Sequence, residues 1–60
     1  MTICEFTLRL RSGAVTTLQA NCDPDRHTSE FVRGFLQEEL ARRTGVKSHI
    51  VAFSLRKIIS

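Results

Sequence analysis

Tryptophan and tyrosine are absent from this sequence; proline occurs once, cysteine twice and glycine three times. With only four Phe to supply large core volume, the chain has no exposed platform of Tyr or Trp on which bases could stack, as RNA-recognition sheets require. Two cysteines are too few for a disulfide framework, and Cys4 and Cys22 form no CxxC pair. No run reaches the ~18 apolar residues of a membrane span. The opening MTICEFTLRL alternates instead of placing a basic segment before an apolar block. These absences lead us to expect a soluble, cytoplasmic protein with no membrane partner. The sequence also contains no Gly-rich phosphate loop, and 60 residues leave little room for a ligand pocket of ~300 Å³. No enzyme activity and no cofactor are expected.

What is present is an ordinary globular balance, 42% hydrophobic and 25% charged, with a net charge of +3. One small domain covering residues 1–60 follows from that length, and a domain of this size hides only about 60% of the surface its unfolded chain exposes. A second subunit would relieve that shortage.

Residues 2–10 alternate. Cys4, Phe6, Leu8 and Leu10 fall on one face and Ile3, Glu5, Thr7 and Arg9 on the other, the pattern of a half-buried strand. Residues 14–22 repeat it more weakly in a Thr- and Val-rich segment. Parity determines how the two connect, because a hairpin must bring both apolar faces to one side. A two-residue Ser12-Gly13 loop sets even positions opposite odd ones and fails. A three-residue loop, Arg11-Ser12-Gly13, pairs Leu10 with Ala14, Leu8 with Thr16 and Phe6 with Leu18, and leaves glycine in the left-handed slot. That register places Cys4 opposite Ala20, so the thiols lie diagonally and stay free. A register shifted by two, with the loop at 12–14, would oppose the cysteines but take Gly13 out of its slot.

Asp23 and Pro24 punctuate the chain, as cap and first helical position, and Thr28 or Ser29 offers a second cap. From Thr28 to Arg43 the apolar residues Phe31, Val32, Phe35, Leu36 and Leu40 recur at helical spacing. Arg42, Arg43 and Gly45 supply cations and a left-handed stop. Gly34 within the helix suggests close approach to a sheet. Residues 47–59 read as a third strand, with His49, Val51, Phe53 and Leu55 inward and Ile50, Ala52, Ser54, Arg56 and Ile58 outward.

The predicted fold is therefore α+β: ββαβ, a three-stranded antiparallel sheet of order 2-1-3 with one helix on one face. Its expected core is Phe6, Leu8, Leu10, Leu18, Val51, Phe53 and Leu55 against Phe31, Phe35, Leu36 and Leu40. The other sheet face has no cover, and the third strand is a long edge able to template another chain. The leading expectation is a small non-catalytic protein-protein interaction module. It would be a homodimer, or bind another protein, through Ile3, Thr7, Ile50, Ala52, Ser54, Arg56 and Ile58.

The alternative is a nucleic-acid-binding accessory protein. Arg9, Arg11, Arg42, Arg43 and Lys47 would gather at the hairpin end, where guanidinium forks and clustered cations suit phosphates. Against it, Arg42 and Arg43 are common partners of a helix C-terminus, and Arg9 is a common solubilising strand residue. Cys4, Cys22, His27 and His49 have the residue types of zinc ligands without the spacing. Cys22 and His27, five residues apart, are the only thiol–imidazole pair, and a thiol at a strand end lacks the electropositive setting of a nucleophile.

Overall fold

The computed structural model describes residues 1–59. Three strands, β1 (Ile3–Leu10), β2 (Val15–Asn21) and β3 (Ile50–Ile59), form one antiparallel sheet in the order β2-β1-β3. A 3₁₀ turn (Pro24–Arg26) and one helix, α1 (Ser29–Thr44), lie between β2 and β3. This is the ββαβ arrangement of order 2-1-3.

The hairpin has the parity-selected register: Phe6 opposes Leu18, Leu8 opposes Thr16 and Cys4 opposes Ala20. Leu10 N–H donates to the Ala14 carbonyl and Gly13 N–H to the Leu10 carbonyl, each at 2.9 Å. Gly13 adopts φ +93°, a conformation that costs other residues steric strain. Asp23 accepts the Asp25 N–H at 3.0 Å and caps the 3₁₀ turn, whose first residue is Pro24. Thr28 Oγ1 accepts the Phe31 N–H at 3.1 Å, capping α1. At the far end Gly45, φ +76°, donates its N–H to the Ala41 carbonyl at 2.7 Å.

The core holds Cys4, Phe6 and Leu8 of β1, Leu18 and Ala20 of β2, and Cys22. Val32, Leu36 and Leu40 of α1 and Ile50 of β3 complete it. Leu10, Phe35, Phe53 and Leu55 pack against it half-buried, and the Phe6 and Phe53 rings meet edge-on with centroids 6.3 Å apart.

The third strand departs from simple alternation. Phe6 faces Leu55, Leu8 faces Phe53 and Arg9 faces Ala52, but Leu10 faces Ile50 and Ile3 faces Ile59. One residue is therefore extra at each end, Val51 and Ile58, and each extra residue reverses the parity beyond it. Ile50 consequently joins the core at 0% exposure instead of the outer face, while Val51, expected inside, is 46% exposed. His49, also expected inside, is exposed in the connection before β3. The strand starts at Ile50 rather than at residue 47; after the helix, Thr44 Oγ1 donates to the Leu40 carbonyl at 2.8 Å and accepts the Val46 N–H at 3.3 Å, and Ile50 N–H donates to Gln37 Oε1 at 3.0 Å.

Two further expectations are corrected. Phe31 is 53% exposed and stacks on His27, with centroids 4.3 Å apart, because Val32 occupies the inward position one residue on. Gly34 is exposed, and a Cβ there would meet nothing within 4 Å, so close approach does not explain it.

Candidate interaction surface

The sheet face away from α1 is built row by row from the strand registers. Across β2, β1 and β3 the rows are Val15–Arg9–Ala52, Thr17–Thr7–Ser54, Gln19–Glu5–Arg56 and Asn21–Ile3–Ile59. Only Ile3 and Glu5 of these twelve are part-covered; the rest are exposed. The second row is a line of three hydroxyls. In the third, Arg56 Nε donates to Glu5 Oε1 at 3.0 Å, which removes the net charge from the middle of the face.

Of the residues expected on this surface, Thr7, Ala52, Ser54 and Arg56 are exposed on it and Ile3 lies half-buried at its end. Ile50 is in the core. Ile58 is the extra residue of the terminal bulge, 45% exposed, and Ile59, 53% exposed, takes the place opposite Ile3. Sequence reasoning missed Ile59 because alternation alone assigns it to the other face.

Backbone polarity defines the edge. Since Leu10 N–H donates to the Ala14 carbonyl across the hairpin while Arg11 N–H donates to the His49 carbonyl, the even residues of β1 turn their peptide groups toward β2 and the odd ones toward β3. Ala52, Ser54 and Arg56, which oppose the odd residues of β1, are thus bonded inward. Phe53, Leu55 and Lys57 direct their N–H and C=O groups outward from the sheet. On β2 the free edge includes the Gln19 carbonyl, which accepts from Arg43 Nη2 at 2.8 Å. The helix thus closes part of each edge, Arg43 on β2 and Gln37, whose Oε1 accepts the Ile50 N–H at 3.0 Å, at the start of β3, and it leaves the edge of β3 beyond Ile50 open.

The five cations of the alternative reading are not drawn into one cluster. Arg42 and Arg43 both pair with Glu39, the latter at 3.3 Å. Arg9 lies on the open face between Val15 and Ala52, the sheet standing between it and the helix. Arg11 is in the turn, its N–H on the His49 carbonyl at 2.9 Å, and Lys47 lines a shallow recess with Gly34, Gln37, Glu38 and Ala41. Arg9, Arg11 and Lys47 have no ion-pair partner among the described residues.

The cysteines are free and buried, with Cys4 Sγ donating to the Cys22 carbonyl at 3.5 Å. Burial, with Cys4 and Asp23 nearby, raises the Cys22 thiol above its ordinary pKa, the opposite of what a nucleophilic thiol needs. No group of three or more His, Cys, Asp or Glu converges to hold a metal among the described residues, and no helix among them is long and apolar enough to cross a membrane. Comparison with protein-family models, with curated proteins and with solved structures finds no match.

Proposed function

We propose that this protein is a non-catalytic interaction module that associates with a second copy of itself along the β3 side of its sheet. The observation that carries the reading is the open edge of β3 beyond Ile50: peptide groups of Phe53, Leu55 and Lys57 point outward, and Phe53 and Leu55 are only half-buried. An exposed edge of this length readily templates another strand. Natural monomers blunt such edges with charge, and β3 carries Arg56 and Lys57. Both are paired within the chain, Arg56 with Glu5 at 3.0 Å and Lys57 with Asp25 at 2.7 Å, which lowers the charge that a copy of itself would meet, and the edge requires no acidic partner. The nucleic-acid reading draws less support, because Arg42 and Arg43 are held by Glu39 and the Gln19 carbonyl.

Light scattering at tens of micromolar tests the proposal. The expected mass is twice the chain's 6.8 kDa. Ser54→Lys, at an exposed position shared by the edge strand and the open face, should return it to the single-chain value. A single-chain mass for the unaltered protein would sink the reading.

A further inference from the structure

Resting on that reading, we infer the register of the self-association: two β3 strands pair antiparallel about a two-fold axis at Ser54. The six-stranded sheet that results has the order β2-β1-β3 followed by the same strands of the partner in reverse.

The argument begins with the limits of the strand. Bulges at Val51 and Ile58 confine regular pairing to residues 52–57. Because only Phe53, Leu55 and Lys57 present peptide groups outward, an antiparallel copy must place odd residues opposite odd ones, which leaves two-fold centres at residues 53, 54, 55 and 56. A centre at Phe53 drives Leu55 onto the partner's bulge at Val51. A centre at Arg56 sets Arg56 directly against the partner's Arg56. A centre at Leu55 leaves those two guanidiniums offset by two residues, about 7 Å along the strands, and puts Phe53 opposite the partner's Lys57, away from Asp25.

With the centre at Ser54 the arginines separate, and only Lys57, at the end of the segment, meets the partner's bulge. Phe53 faces the partner's Leu55 in both halves, so both half-buried side chains gain a cross-strand apolar neighbour, and each pair exchanges two backbone hydrogen bonds. Arg56 faces the partner's Ala52, and the two copies of Arg56 stand four residues apart, about 14 Å. Lys57 stands opposite the partner's bulge at Val51, where cross-strand pairing ends, and keeps its bond to Asp25 at 2.7 Å. On the open face, Ser54 meets the partner's Ser54 at a non-hydrogen-bonded position, where Cα atoms approach to about 4.5 Å. The hydroxyl row Thr17–Thr7–Ser54 then runs unbroken across six strands.

Single cysteines at the exposed positions 52, 54 and 56 read this register through disulfide formation under oxidised glutathione. Cys4 and Cys22, 0% and 7% exposed, serve as the silent background, verified on the unaltered chain. Ser54→Cys alone should cross-link at least about tenfold faster than Arg56→Cys alone, since about 4.5 Å between Cα atoms lies in the disulfide range. A mixture of Ala52→Cys and Arg56→Cys chains should form a mixed disulfide that neither forms alone. Faster linkage of Arg56→Cys to itself, or of a Ser54→Cys and Arg56→Cys mixture, would overturn the register in favour of a centre at 56 or 55. No linkage in any arm, with a doubled light-scattering mass, would overturn the edge pairing while leaving self-association standing. A single-chain mass would end both.

Discussion

At the scale of single residues, the three glycines divide by conformation. Gly13 and Gly45 hold φ +93° and +76°, which a Cβ disfavours by roughly 1–2 kcal/mol. Gly34 sits in the exposed middle of α1 with open space where a Cβ would go, and nothing in the structure explains it. Gly34→Ala should therefore stabilise the fold by about 0.5–1 kcal/mol, and Gly13→Ala should weaken it by a similar or larger amount; thermal unfolding followed by circular dichroism checks both signs. A destabilised Gly34→Ala would mean that the glycine serves a contact the isolated chain lacks. Gly13 and Gly45 were legible in the sequence because turn parity and a helix stop are local chemistry. Gly34 was misread because helical position alone does not say whether anything stands opposite.

The elements differ in how far alternation alone describes them. β1 alternates cleanly and β2 more weakly, and since a one-residue slip would turn the apolar side chains outward, their register followed from the sequence. The helix followed from its caps, Thr28 and Gly45, and its apolar stripe, although Val32 and not Phe31 fills the inward place. β3 resisted because IVAFSLRKII is apolar in both parities near its ends, so two bulges leave no mark in the pattern. The one at Val51 decides that Ile50 is core and Val51 is not, and the candidate surface inherited that error at Ile50. The consequence is measurable. Ile50→Ala, at 0% exposure, should lose about 2–5 kcal/mol, whereas Val51→Ala and Ile58→Ala in dilute solution should stay within about 0.5 kcal/mol. Equal losses at Ile50 and Val51 in denaturant titrations would contradict the bulge.

For the whole molecule the deciding quantity is surface. The chain exposes 4228 Å², somewhat more than the ~4,000 Å² typical of a compact monomer of this mass, because one helix covers one face and the other carries only side chains in rows. If a second copy adds its strand at β3, association stabilises the folded chain by mass action, and stability then depends on concentration. For a two-chain native state each tenfold rise in protein adds about 1.4 kcal/mol per dimer, or about 0.7 per chain. In a domain of this size that moves Tm by about 3–6 °C. Scans at 5, 50 and 500 µM, roughly two decades, should show Tm climbing by that step each time, and Ser54→Lys should flatten the climb without removing the transition, since Ser54 is exposed and outside the core. A Tm independent of concentration would mean that this half-covered sheet gains nothing from a second copy, and the argument from its free edge would fail with it.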